Sequence, residues 1–299
     1  MDSQKQAIGF VGLGIMGTAL SANLLKAGFP VVGFDIDAGR IEALVRNGGT
    51  AAASAREVAQ RCDLMLTSLP GPKALQETVS GSTGLLSAKR RGLIVSECST
   101  LALEDKLAAH AALAAGGITL LDSPLSGTGA QAVRKDLLVY SSGDKAAYER
   151  MLPVYRGIAR GSHHLGVFGN GMRMKIVANL LVAIHNVAAA EGLVLAMKAG
   201  LDPAEAYKVL SDGGGTSRMF EVRGPSMVAG NYQQAQMKLK LWMKDLGIIG
   251  NFATEVQCPT PLFSASSQYY AAALAQGRGE EDTGSVCAVL EAMAGVKRK

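Results

Sequence analysis

Six residues near the N-terminus, Gly12-Leu13-Gly14-Ile15-Met16-Gly17, follow a short apolar run, Ile8 to Val11, and open a helical pattern. A G-x-G-x-x-G between a strand and a helix is suited to a pyrophosphate. Gly12 permits the tight turn, Gly14 lets a phosphate approach the backbone, and Gly17 lets the helix lie close on the strand. The helix N-terminus adds N–H donors and a positive dipole end. Asp35 closes the second apolar run, Val31 to Phe34, about twenty residues on, where a ribose-binding carboxylate is expected. It would accept bonds from both ribose hydroxyls and repel a 2′-phosphate, so the pattern predicts NAD in preference to NADP. Arg40 is the opposing feature, because a nearby guanidinium can hold that phosphate.

A nicotinamide reaction needs a proton donor or acceptor beside the reacting oxygen. Of the histidines, His110 sits in a surface-like helix, His163-His164 fall in a polar turn, and His185 reads as a core residue of an apolar helix. A lysine is the better candidate. Gly169-Asn170-Gly171-Met172-Arg173-Met174-Lys175 leads into a helix, and Asn179 follows at i+4, on the face of Lys175. The plain alternative for Lys175 is a solvated helix end. Cys62, Cys98, Cys258 and Cys287 form no C-x-x-C pair and have no histidine at metal-ligand spacing. They read as buried, reduced thiols of a cytoplasmic protein, and no metal site is expected.

Positioning these residues requires a scaffold, and the first half supplies one. Short apolar runs at Ile8 to Val11, Val31 to Phe34, Leu64 to Ser68, Leu93 to Val95, Ile118 to Leu121 and Leu137 to Tyr140 alternate with helical stretches. Ile15 to Ala27 is a helix stopped by Gly28, Asp37 caps another that ends at Asn47, and Ser54 with Glu57 forms a capping box. Such alternation predicts an α/β Rossmann domain, a doubly wound, mostly parallel sheet, over residues 1–165. Residues 166–299 show no convincing strand and predict an all-α domain for substrate binding and oligomerisation. It is built on a long interdomain helix, Met172 to Ala199, spanning about 42 Å. That helix is apolar almost all round, so it must be buried on all sides, by this chain or by another copy in a homodimer or homotetramer.

Composition narrows the function. The chain has 299 residues, 48% hydrophobic and 18% charged, which excludes a disordered chain. The net charge is +5, but Lys89-Arg90-Arg91, Arg134-Lys135 and Lys297-Arg298-Lys299 lack interleaved aromatics and any nucleic-acid motif. They read as solvated surface that helps attract an anionic substrate, with no nucleic-acid partner expected. The polar lead Met1 to Gln6 has no apolar signal segment, and Ile176 to Ala190 is too short for a membrane span and carries Asn179, His185 and Asn186.

Four segments together resemble the β-hydroxyacid dehydrogenases, such as 3-hydroxyisobutyrate dehydrogenase and tartronate semialdehyde reductase. They are Gly9 to Gly17, Asp122-Ser123-Pro124-Leu125-Ser126-Gly127, Gly169 to Asn179, and Lys244-Asp245, spread over nearly the whole chain. The resemblance implies an NAD- or NADP-dependent oxidoreductase acting on a small anionic hydroxy acid or semialdehyde. It makes Lys175 the acid/base and Asn179 the residue that orients the substrate. Ser126, Gly127 and the neighbouring Thr128 would form the substrate loop, Leu69, Pro70 and Thr100 would line the cofactor, and Lys244 would close over it. This sequence departs from the family where Thr128 replaces a glycine, Ala178 an asparagine, Lys135-Asp136-Leu137 a G-T-L, and Glu97 the aspartate of D-x-S-T. Thr128 adds bulk and a hydroxyl, so an unusual acid is expected. An imine reductase or a non-catalytic dinucleotide reader would share this architecture, and Lys175 speaks against both.

Overall fold

The structure, a computed structural model, describes residues 5–298. Met1 to Gln4 of the polar lead and Lys299 of the basic tail lie outside the described residues. The chain divides into two compact units, Met1–Lys175 and Ile176–Lys299. The expected boundary at 165/166 falls just ahead of the long helix, whereas the two units part within its second turn.

The first unit alternates strand and helix. It runs β1 (Ile8–Val11), α1 (Ile15–Lys26), β2 (Val31–Phe34), α2 (Ala38–Arg46), β3 (Thr50–Ala51), α3 (Ala55–Arg61), β4 (Leu64–Thr67), α4 (Pro72–Ser80), β5 (Ile94–Glu97), α5 (Leu103–Ala115) and β6 (Thr119–Asp122). These six strands form one sheet in the order β3-β2-β1-β4-β5-β6, parallel throughout. β1, β4 and β5 are buried along their whole length, as strands covered by helices on both faces must be. Strand order reverses beside β1, and ligands of such sheets bind at that switch point, outside the C-terminal strand ends.

The caps form where side-chain chemistry requires them. Asp37 accepts from Gly39 N at 2.9 Å, and Ser54 Oγ accepts from Glu57 N at 3.2 Å. Glu57 reaches back to Ala53 N rather than to the cap residue itself, at 2.8 Å. A second sheet, β7 (Leu125–Ser126), β8 (Leu138–Ser141) and β9 (Gly161–His164), surrounds α6 (Gly129–Val133) and α7 (Lys145–Ile158) in sequence. Three strands were not expected. β3 and β7 are two residues long, and β9, Gly-Ser-His-His, has no apolar alternation. The expected polar turn at His163-His164 is therefore corrected to a strand, recruited by parallel pairing with β8.

The second unit is helical. It holds most of α8 (Asn170–Lys198), then α9 (Pro203–Asp212), α10 (Arg218–Ala229), α11 (Leu239–Glu255), α12 (Pro261–Ala275) and α13 (Val286–Ala294). α8 has 29 residues and is long and apolar enough, by length and composition only, to cross a membrane; this corrects the expectation that its apolar run is too short. Its interior is not that of a lipid-facing rod. Lys175, Asn179 and Asn186 are buried, and Asn186 Nδ2 donates to Tyr270 Oη and to Thr283 O. Nor is α8 covered on all sides within one chain. Met174, Val177, Leu181 and Leu195 are exposed, the last to 71%.

Cys62, Cys98 and Cys287 are buried and unpaired. Burial pushes their thiols up to about 11, about 12 and about 12 respectively. Cys258 is exposed, against expectation, because it follows α11 in the turn before α12. A thiol-reactive disulfide reagent at pH about 8, where accessible thiols react far faster than buried ones, is expected to label Cys258 alone in the native protein. Cys258→Ser should abolish that fast phase; fast labelling of Cys98 or Cys287 would contradict the described core.

Candidate active site

The Gly-rich turn is set by backbone contacts. Gly12 has φ +89°, and a Cβ there would lie 2.2 Å from the Ser68 carbonyl oxygen. A Cβ on Gly17 would lie 2.0 Å from Gly12 O. At Gly14 the nearest such neighbour is Arg40 Nη1 at 3.6 Å, so the space beside it is open. Gly14 is also the N-cap of α1 and supplies no capping side chain, so none competes for the first N–H groups at Ile15, Met16 and Gly17. A cradle closed by backbone on one side and open on the other fits a pyrophosphate. Leu13 is buried and its N–H donates to Asp35 Oδ2 at 2.6 Å. Asp35 Oδ1 accepts from Asp37 N at 2.9 Å. Arg40, half-exposed, stands 3.5 Å from both Asp35 and Asp37.

The loops after β4 and β5 meet beside this turn. Ser68 N donates to Val11 O, Cys98 N to Thr67 O, and Leu69 N to Ser99 Oγ at 2.7 Å. Leu69, Pro70 and Thr100 are thereby gathered with residues 12–17 at the C-terminal ends of three adjacent strands. The loop at residues 126–129 joins them. Gly127 has φ +138°, and a Cβ there would strike Leu137 Cδ2 at 2.4 Å; a Cβ on Gly129 would strike Ile15 Cγ2 at 2.6 Å. Ser126 ends β7. Thr128 caps α6, its Oγ1 accepting from Gln131 N and its own N–H donating to Gln131 Oε1. The Thr128 hydroxyl thus bonds within a capping box.

α8 begins against the C-terminal ends of β6 and β8. A Cβ on Gly171 would lie 2.4 Å from Tyr140 O and 2.5 Å from Asp122 O. Gly171 N donates to Ser142 Oγ at 2.8 Å and Met172 N to Asp122 Oδ2 at 2.7 Å. One turn further on, Lys175 is buried to 9% exposure, which removes the reading as a solvated helix end. In the second unit, Asn179 Nδ2 donates to Asp245 Oδ2 at 3.1 Å, and Lys244 Nζ, half-exposed, stands 3.5 Å from Asp245 Oδ1.

Lys106 escaped the sequence reading, and Glu97 and Asp122 entered it only as motif positions. Lys106 is fully buried between Glu97 and Asp122, 2.8 Å from one and 2.7 Å from the other. Burial alone would depress its pKa, but the two carboxylates outweigh that and hold it above the usual lysine range. The available signal was a lysine on the Leu103, Lys106, Ala109, Leu113 stripe of α5, since a charge on an apolar stripe must be paired. Among the described residues no His, Cys, Asp and Glu group is placed to hold a metal. His110 stacks on Phe168, and His164 Nε2 bonds Gly143 O.

Residues 7–198 match the family described as the NAD binding domain of 6-phosphogluconate dehydrogenase. Residues 169–290 match that described as NAD-binding of NADP-dependent 3-hydroxyisobutyrate dehydrogenase. The chain is 32% identical to 2-(hydroxymethyl)glutarate dehydrogenase of Eubacterium barkeri, over 97% of this chain and 96% of that one. It is 33% identical to L-threonate dehydrogenase of Cupriavidus necator, over 93% and 94%. The crystal structure of 3-hydroxyisobutyrate dehydrogenase from Salmonella typhimurium superposes with a TM-score of 0.84 at 31% identity, covering 95% of this chain and 100% of that one. An imine reductase from Streptomyces aurantiacus shares the fold at 21% identity, with a TM-score of 0.65. A Gly-rich dinucleotide turn, a buried lysine at the start of the long helix and near-full-length likeness to hydroxy-acid dehydrogenases converge: the chain belongs to the β-hydroxyacid dehydrogenase family.

Proposed function

We propose that this chain interconverts a small anionic β-hydroxy acid and its semialdehyde or ketone, with NAD as redox partner and Lys175 as acid/base. The observation that carries the reading is a buried lysine at the start of α8, whose first turn is anchored on Ser142 and on Asp122 at the C-terminal end of β6. The dinucleotide, when bound, supplies the hydride acceptor or donor. Gly12, Gly14 and Gly17 with the N–H groups of α1 hold its pyrophosphate, Asp35 its ribose, and Leu69, Pro70 and Thr100 line it. Lys175, protonated, donates to the carbonyl oxygen during reduction; neutral, it takes the hydroxyl proton during oxidation. Ser126 and Gly127 bind the substrate carboxylate beside Thr128. Asn179 is assigned to the substrate and Lys244 to the cofactor on resemblance.

NAD is preferred on the evidence of Asp35. Two backbone N–H groups fix its carboxylate, and Arg40 already faces two carboxylates, which leaves it poorly disposed to a 2′-phosphate. The exposed apolar residues of α8 support self-association, because an apolar stripe of this kind is covered by a partner in stable assemblies. A cytoplasmic setting fits the reduced thiols.

A screen at the nicotinamide absorbance, with 3-hydroxyisobutyrate, glycerate, threonate, 3-hydroxypropionate and 4-hydroxybutyrate, is expected to give turnover on at least one acid with NAD. Lys175→Ala should lower kcat by about 10²–10⁴-fold while the NAD dissociation constant stays within about threefold; surviving turnover would remove Lys175 from the chemistry. Asp35→Asn should shift the NAD/NADP ratio of kcat/KM towards NADP by about tenfold, a difference of about 1.4 kcal/mol. An unchanged ratio would place selection elsewhere. Light scattering is expected to give a mass of two or more chains, reduced by Leu181→Glu; a monomeric wild type would contradict the stripe's assignment.

A further inference from the structure

The proposed chemistry makes no use of Lys106, and the motifs do not include it. With Glu97 and Asp122 it places two carboxylates and one ammonium in the interior, a net charge of minus one if both acids are ionised. Such a group survives only where every member is paired and bonded. Each carboxylate spends one oxygen on Lys106, and the destinations of the other two are informative.

Asp122 Oδ2 accepts from Met172 N at 2.7 Å and from Ser142 Oγ at 3.3 Å, and Ser142 Oγ accepts from Gly171 N. Gly171 and Met172 belong to the first turn of α8, whose N–H groups have no partner within the helix. Lys175 is i+3 from Met172, on the same face. Glu97 Oε1 accepts from Ser99 N at 2.9 Å, and Ser99 Oγ accepts from Leu69 N at 2.7 Å. One ammonium therefore stands at the junction of two hydrogen-bonded arms. One ends on the turn that carries Lys175, and the other ends on the loops of Leu69 and Thr100.

We propose that Lys106 is a positioning residue: through Asp122 and Glu97 it locks the turn carrying Lys175 and the dinucleotide-lining loops into one register. The assignment rests on the reading of Lys175 given above. Because the arms are separate, their effects separate. Ser142→Ala cuts only the helix arm, at the Gly171 amide. Ser99→Ala cuts only the loop arm, at the Leu69 amide. Lys106→Met releases both.

The test combines steady-state kinetics, NAD binding by titration, and amide hydrogen exchange of the protein without substrate. Ser142→Ala should lower kcat about tenfold with the NAD dissociation constant within about twofold, and should speed exchange in residues 170–175. Ser99→Ala should weaken NAD binding about tenfold with kcat within about threefold, and should speed exchange in residues 69–70 and 97–100. Lys106→Met should do both. If Lys106→Met does not fold, the two serine variants decide. Identical changes in both serine variants, or none in either, overturn the proposal, as does a folded Lys106→Met with wild-type exchange in both segments. A wild type that turns over no hydroxy acid would sink the functional reading, while exchange and NAD binding would still judge the role of Lys106.

Discussion

Two backbone crossings that admit no side chain, Gly12 against Ser68 and Gly17 against Gly12, bring α1 down onto the switch point of the parallel sheet. An added methyl at either place would overlap a carbonyl oxygen, so the turn could not keep its shape. Everything around the dinucleotide cradle is referred to that contact. Leu13 reaches Asp35 because the turn is tight, the Leu69 loop lies beside it because Ser68 pairs with Val11, and the loop at residues 126–129 packs on Ile15 through Gly129.

Two helix N-termini stand at the C-terminal ends of these strands, and they are treated oppositely. α1 begins at a glycine and keeps its positive end available to a phosphate. α8 begins against Asp122, whose carboxylate takes the Met172 amide, so its positive end is already satisfied by the protein. The first arrangement recruits an anion; the second holds a helix still. That difference suits a helix carrying the proposed acid/base Lys175, since such a group must be placed within tenths of an ångström. Asp122 is costly to bury, and Lys106 offsets the cost; breaking such a buried pair by removing one partner typically destabilises by about 3–5 kcal/mol.

Much of this was legible in the sequence where one local rule decided the outcome. The G-x-G-x-x-G turn, Asp35, the Asp37 and Ser54 caps and the run into α8 each follow from short-range chemistry. β3, β7 and β9 were not legible, because two-residue or polar strands exist only through their neighbours. Composition does not tell which side of α8 its own chain covers: Val177, Leu181 and Leu195 are exposed when one chain is considered. The Glu97, Lys106 and Asp122 cluster was hidden for a different reason. Its members lie on three separate elements, and only the sheet topology, with β5 beside β6, brings them together. The Thr128 hydroxyl caps α6, a local bond that the Thr-x-x-Gln spacing already encodes.

The central claim, that Lys175 exchanges the proton, is tested most directly by the pH dependence of kcat/KM measured in both reaction directions. Oxidation requires the neutral amine, so its rate should fall as pH is lowered through the lysine's ionisation. Reduction requires the ammonium, so its rate should fall as pH is raised through the same ionisation. Opposed limbs, both absent from the residual activity of Lys175→Met, are the predicted result. Limbs of the same sense in the two directions, or limbs that persist in the variant, would contradict the account.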